Sequence, residues 1–493
     1  MEFDENQIPN TFLLINLSKM KNLFILSIAL FTILQSCSNK ENISKLQRPN
    51  LLSDTNTKAS CVFLTCDQHK NPVISWVQID NNGVKHFYFA NWNNQRNSFS
   101  PSITIPVLSN TSIHEEGMPK IAFKGNDTIV ATFETSVPVK NMRFGLSDIH
   151  YEISFNKGKT WTTPKPIESD SSHIGSRSFG NIIRLSDGEV GITWLGTDPN
   201  NADHARPVYF AKSNGNKGFG KPILIENAGC QCCRTALSTD ERGHINVVFR
   251  DLLPGSVRDI GISSSVDNGQ NFSKPISFSN DHWVIDGCPH DGPSIVSKDD
   301  KKYVAWFTGA QKYGVFYAEL DKNNQMVTKR QLNPNGRFVQ LCLMPDGERI
   351  AAYNVEYQQK DSFYSKIIVN KINDKGLFEK LITLPNVNAS YPVVQAIGDQ
   401  RIIVAWTDNN RIYYKLLNIA SITEIPAENN TEEVIPFKRP REMPKMALST
   451  DPVCGMKINE KTAMDTTLEH GKIIGFCSQK CKETFLQTAE ARR

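Results

Sequence analysis

The stretch NAGCQCCRTALS, residues 227–238, places Cys230, Cys232 and Cys233 within four positions, three of the chain's eleven cysteines. Thiols this close serve a disulfide, a redox dithiol, or a claw whose thiolates bind a soft or borderline ion such as Cu(I) or Zn(II). A second group, GCPHDGP, sets Cys288 two residues ahead of His290. A third lies near the C-terminus, where Cys477 and Cys481 are four apart and Cys454 stands upstream. In an extended strand, side chains two apart point the same way. Cys230 then shares a face with Cys232, and Cys288 with His290, while Cys233 points away unless a bulge turns it back. The choice between ion and bridge depends on the compartment and on the elements that carry these residues.

The chain has 493 residues and a net charge of +4, with acidic and basic residues interspersed. No long basic run occurs, which argues against nucleic acid as a partner. From Met20 the sequence reads MKNLFILSIALFTILQSCSNKEN: a lysine, about a dozen apolar residues, then Leu34-Gln35-Ser36-Cys37. That run is short for a membrane span and has the layout of a secretory signal. Its end resembles a bacterial lipobox, which implies cleavage before Cys37, acylation of Cys37 and an exported, membrane-anchored lipoprotein of the cell envelope. An uncleaved anchor or a buried helix is the other reading. Acidic and polar residues ahead of Lys19 point to Met20 as the biological start. Residues 1–37 are therefore read as extension and signal, and 38–60 as a tether. Outside the cytoplasm disulfides persist, so each cysteine group must be weighed against a bridge.

Stepping along the chain, one pattern recurs: an apolar strand ending on an aromatic residue, then a polar turn. The aromatics are Trp76, Phe133, Trp194, Phe249, Trp306, Tyr353 and Trp406, at intervals of roughly fifty to sixty residues. Another strand precedes each, and a third and often a fourth follow. The expectation is an all-β fold: a β-propeller of four-stranded sheets over 61–421, with seven blades, or six if two of these units merge. SFNKGKTW (Ser154 to Trp161) and SVDNGQNF (Ser265 to Phe272) resemble the Asp-box of sialidase-like propellers, with Asn156 in place of the aspartate in the first. A decayed third copy may be read at Ser213.

Inner strands of a propeller start near the axis on one face, so the residues at those starts converge. The mouth is expected to collect His114, Glu115, Glu116, His173, Arg177, Cys230, Cys232, Cys233, Arg234, Cys288, His290, Asp291, Arg337 and Tyr391. Cys230, Cys232, Cys288 and His290 come from neighbouring blades and form a natural three-sulfur, one-nitrogen set, with Asp291 or a glutamate orienting His290. A bridge from Cys288 to one of the triplet is the alternative. The sialidase resemblance implies a different site: Arg177, Arg234 and Arg337 gripping a carboxylate, and Tyr391 as nucleophile assisted by Glu115 or Glu116. The Arg-Ile-Pro signature that opens that family's propeller is absent, and no aspartate matches its acid. Each arginine is otherwise a structural ion-pair partner. Cys61 and Cys66 flank a strand and are candidates for a disulfide, while Cys342 reads as a small core residue.

From 422 to 447 Pro, Glu, Asn and charge dominate, and the segment reads as a linker. Residues 448–493 follow, with DPVCGM (Asp451 to Met456), then Phe476-Cys477-Ser478, Cys481 and Phe485. This block resembles the YHS domain, a small metal-associated α+β module, and the resemblance implies a site at Cys454, Cys477 and Cys481. Residues i and i+4 share a helix face, which suits Cys477 and Cys481, and a helix N-terminus favours the thiolate. His470 reads as a hairpin-turn residue, and a disulfide to Cys454 is the alternative. Together these readings expect a protein that handles a soft metal ion, copper before zinc. A glycosidase of the sialidase type, or a propeller that binds glycan or protein without catalysis, are the competing functions.

Overall fold

The computed structural model describes residues 49–139, 142–168, 175–197, 205–285, 287–359, 362–373, 376–381, 388–422, 435–436 and 448–458, then 463, 465–469, 472–477, 481–482 and 484–486. Cys37 and the signal segment, His173, His470 and Ser478 lie outside the described residues. Among those described, no helix is long and apolar enough to cross a membrane.

Seven antiparallel sheets, each built on four strands, form a seven-bladed β-propeller. The inner strands are Lys58–Cys66, Lys120–Gly125, Ser178–Arg184, Ala236–Thr239, Ser294–Lys298, Gly336–Leu343 and Ala389–Ile397. All seven recurring aromatics lie in the second strands and are buried. These second strands read as near-continuous apolar runs because both faces are covered. In the seventh blade Ile402, Val404 and Trp406 pack toward blade six, while the alternating Ile403 and Ala405 pack toward blade one. Seven such clusters, one between each neighbouring pair of blades, make the core a closed ring.

The ring is closed by chain from its far end. Leu52 N–H donates to the Ile412 carbonyl at 2.8 Å and Ile412 N–H donates to Ser53 Oγ at 3.0 Å, completing the seventh blade. The propeller thus takes in residues ahead of 61. It also takes in part of the segment read as linker, since Ile435–Pro436 pairs with Arg349–Gln359 of blade six. Cys61 and Cys66 both sit within one strand, five positions apart and on opposite faces, so they do not bridge each other. Cys342 is buried in the core between blades six and seven.

The hairpins at Ser154 and Ser265 share one hydrogen-bond pattern. Ser154 Oγ accepts from Gly158 N–H (2.8 Å) and Asn156 Oδ1 from Thr160 N–H (2.9 Å); Ser265 Oγ accepts from Gly269 N–H (2.9 Å) and Asp267 Oδ1 from Asn271 N–H (2.9 Å). Asn156 therefore does the work of Asp267. Gly158 and Gly269 have φ of +83°, and a Cβ there would strike Phe89 or Phe210 of the neighbouring blade. Both hairpins join third to fourth strands, at the end of the blades away from the inner-strand starts. The stretch at Ser213 differs: Ser213 Oγ accepts from Val190 N–H across the blade, at 2.8 Å.

The C-terminal module pairs Asp465–Glu469 with Lys472–Phe476, and a helical stretch begins at Cys481. Its small core gathers Val453, Ile458, Ile474, Phe476, Cys477 and Cys481. The described parts of Leu51–Arg493 form one compact unit.

Candidate metal centre

Cys230 follows the outer strand Ile223–Gly229 of blade three, and Cys233 leads into the inner strand of blade four. The chain turns tightly at Gln231–Cys232, so strand alternation does not apply there. Cys233 is accordingly not turned away: its Sγ lies 3.8 Å from that of Cys230. Donor atoms of Cys230, Cys232 and Cys233 lie within 4.8 Å of one another, as do those of Cys232, Cys288 and His290. Cys232 belongs to both sets, so five donors converge around it. No disulfide joins any of the described cysteines.

The protonation pattern is that of thiols sharing charge. Cys230 is held well below the ordinary thiol range because Cys232 and Cys233 both hydrogen-bond to it, which outweighs burial. Burial and those same bonds push Cys232 far up, and burial pushes Cys233 up. Cys288 is drawn down to about 6 by hydrogen bonding from Cys232, then by His290. Burial opposes charge on His290, yet the Cys288 thiolate raises it.

Three arginines that no sequence pattern had singled out surround this cluster. Arg206 donates to the carbonyls of Gly196 (2.6 Å), Leu195 (2.7 Å) and Ser176 (2.8 Å), and to Ser178 Oγ (2.8 Å). Burial lowers it to about 10 against the charge of neighbouring groups, Glu134 first and then Cys232, Cys230 and Cys288. Arg250 donates to the carbonyls of Asp291 and Phe307 and lies 5.2 Å from the Trp283 ring. Arg258 lowers the Cys230 thiol. All three pair with no carboxylate among the described residues, and Arg250 and Arg258 are at most 3% exposed. A usable signal existed. Arg250 directly follows the repeat aromatic Phe249, and the same position in other blades is Glu134 or Thr407, both of which reach the mouth.

The acids expected at the mouth hold the blades together. Four inner strands carry a two-residue bulge near their start, at Cys61, Phe179, Phe338 and Tyr391, each with φ between +50° and +60°. His290, ahead of the fifth, has φ +49°. Carboxylates from other blades accept the backbone N–H groups there: Glu115 from Cys61 (3.0 Å), Glu134 from Phe179 (2.6 Å) and Asp291 from Phe338 (3.1 Å). Glu116 accepts from both Arg234 N–H (3.1 Å) and Gly292 N–H (2.9 Å), spanning the axis. Asp291 is therefore directed to blade six rather than to His290. His114 likewise accepts from Gly117 N–H (2.9 Å) and meets Glu134 at 3.0 Å.

Residues cast for a glycosidase are divided. Tyr391, Glu115 and Glu116 line one axial cavity of about 780 Å3. The three arginines line neither this cavity nor the one described next, and each is in an ion pair: Arg177 with Asp148 and Glu168, Arg234 with Glu116, and Arg337 with Asp291. They do not form a carboxylate-gripping triad.

In the C-terminal module Cys454 Sγ lies 3.2 Å from Cys477 Sγ, and Cys477 Sγ lies 3.6 Å from Cys481 Sγ. Hydrogen bonding from Cys477 and Cys481 holds Cys454 far down, and the bonds Cys477 makes to Cys454 and Cys481 drive it far up. Asp451 is close to this set, but its Oδ1 accepts from Val453 (2.7 Å) and Cys454 (3.1 Å) N–H and its Oδ2 from Cys477 N–H (2.7 Å). It shapes the turn and leaves three sulfurs as the donors. Nothing in the residues of this module foretells where it sits. Its Cys454, Met456, Cys477 and Cys481 face Cys232, Cys288 and His290 across one cavity of about 290 Å3 at the propeller mouth.

Comparison with protein-family models and with curated proteins finds no match. Solved structures do match in shape. An ulvan lyase described as a new polysaccharide lyase family has a TM-score of 0.50 and 11% identity, over 76% of this chain and 96% of that one. The intramolecular trans-sialidase of Ruminococcus gnavus gives 0.47 and 8%, over 77% and 99%. A protein of unknown function from Dyadobacter fermentans gives 0.42 and 17%, over 61% and 94%. Such identities speak to the propeller fold alone.

Proposed function

We propose that this protein binds a soft metal ion at the propeller mouth through Cys230, Cys232, Cys233, Cys288 and His290, with a second set at Cys454, Cys477 and Cys481, and that the ion is Cu(I). The observation that carries this reading is electrostatic. Arg250 and Arg258 are buried and Arg206 half-buried beside the cysteines; none is in ion-pair contact with a carboxylate among the described residues, and the more distant Glu134 and Asp291 act on Arg206 and Arg250 together with the thiols. A disulfide is neutral and would take the thiolate share of the compensating charge away from these guanidiniums; a buried charge that loses its partner costs about 3–5 kcal/mol. Four thiolates with one Cu(I) carry three net negative charges, which equals the charge of the three guanidiniums. Thiolate and thioether donors select Cu(I) over harder ions, and Met456 lines the same cavity. A YHS-type module and a lipid anchor at Cys37 fit a role in metal handling at the cell envelope.

Anaerobically purified, reduced full-length protein should retain Cu(I) by elemental analysis, and less when Cys230 and Cys232 are both changed to Ser. Arg250→Met, which removes no donor, should weaken retention against a Cu(I) chelator at least tenfold. Metal-free intact protein would sink the reading.

A second reading, a glycoside hydrolase, draws on Tyr391 and Glu115 sharing the axial cavity. Release of product from a fluorogenic sialoside, abolished by Tyr391→Phe, would support it.

A further inference from the structure

The two sulfur sets lie 166 (Cys288 to Cys454) to 251 (Cys230 to Cys481) residues apart in sequence, yet they open on one cavity. At about 290 Å3 it is only a few metal–sulfur bond lengths across, each about 2.3 Å. A Cβ built on Gly287, the residue before Cys288, would lie 3.9 Å from Met456 Sδ, which puts the thioether against the loop that carries Cys288 and His290. Each set has its more accessible donors toward the other. Cys454 on the module and Cys288 and His290 on the propeller are partly exposed, while Cys477 and Cys481 behind the one and Cys230, Cys232 and Cys233 behind the other are buried. Two independent binding sites would have no need of a common wall.

We propose that the C-terminal module loads the propeller: a soft metal ion taken up by Cys454, Cys477 and Cys481 passes by ligand exchange, with Met456 as an intermediate donor, to Cys232, Cys288 and His290. The inference rests on the metal-binding reading above. Each step forms one metal–donor bond as another breaks, and the ion keeps its oxidation state. A thiol that joins the ion gives up its proton, and a departing thiolate takes one up, so charge balances within the cavity. The ion then settles against Cys230 and Cys233, beside the buried guanidiniums that favour thiolate. His290 also lines the axial cavity, which offers the rival path, direct loading from solvent along the axis.

The test follows uptake of Cu(I) from a coloured chelate by reduced, full-length protein in stopped flow. Wild type should show a fast phase for the module and a slower phase for the propeller. Full-length protein with Cys454, Cys477 and Cys481 changed to Ser should lose the fast phase and fill the propeller at least tenfold more slowly, to the same final propeller stoichiometry. Met456→Leu keeps every cysteine and the side-chain volume. It should slow only the second phase, several-fold. Filling of the propeller at the wild-type rate in both variants would overturn the loading route while leaving metal binding intact. No uptake by any of the proteins, even at equilibrium, would overturn metal binding itself. The reciprocal variant, Cys232→Ser with Cys288→Ser, should keep the fast phase and lose the slow one, which separates a lost acceptor from a disturbed module.

Discussion

At the residue scale, polar groups in this molecule are either matched across blades or conspicuously unmatched. Glu152, in the third strand of blade two, is fully buried, and neither carboxylate oxygen has a hydrogen-bond partner among the described residues. Burial pushes it up to about 8 from the ordinary 4.5. Below pH 4.5 it is protonated in both folded and unfolded chains and has no effect. As pH rises to about 8 the unfolded chain ionises first, so stability falls; above that the penalty is constant. Glu152→Gln should therefore match wild type at pH 4 and exceed it by several degrees in Tm at pH 9, and equal curves at both pH values would refute the assignment. Such residues are invisible in sequence, because nothing distinguishes a glutamate buried without partners from one at the surface. The cysteines were legible, since their crowding survives translation into any fold. Their geometry was not: a tight turn replaced the expected strand, and that turn, rather than a bulge, brings Cys233 back to Cys230.

At the scale of elements, the second strands were plain in the sequence because burial on both faces turns them into aromatic-ended apolar runs. The inner-strand bulges were not, because the left-handed position is occupied by Cys, Phe, His and Tyr rather than by Gly. What holds those strands is carboxylates 54 and 45 residues away for Cys61 and Phe179, and 118 and 176 for the pair that Glu116 grips. Separations of that size leave no local trace. Glu116→Ala removes a buried acceptor shared by Arg234 and Gly292 and strips the Arg234 guanidinium of its counter-charge. We expect a loss of about 3–5 kcal/mol in urea unfolding. A loss below about 1 kcal/mol, the range of exposed pairs, would show that the staple is dispensable.

For the whole molecule, closure and cargo both feed into stability. Removal of residues through Ser53 leaves Ile412 N–H without its acceptor and bares the edge of blade seven. The shortened protein should melt lower and scatter light on heating, with blade seven the first to exchange its amide hydrogens. Saturation with Cu(I) works in the opposite direction, adding about 2.7 kcal/mol when free ion exceeds Kd a hundredfold. A chelator should reverse that shift in wild type and produce none in protein lacking Cys230, Cys232 and Cys288. The left-handed positions at the mouth have a consequence of another kind. One backbone conformation carries Cys61, Phe179, His290, Phe338 and Tyr391, and a carboxylate from another blade braces Cys61, Phe179 and Phe338. The position dictates the backbone and not the side chain, so the mouth resembles a socket strip in which four kinds of side chain plug into one wiring.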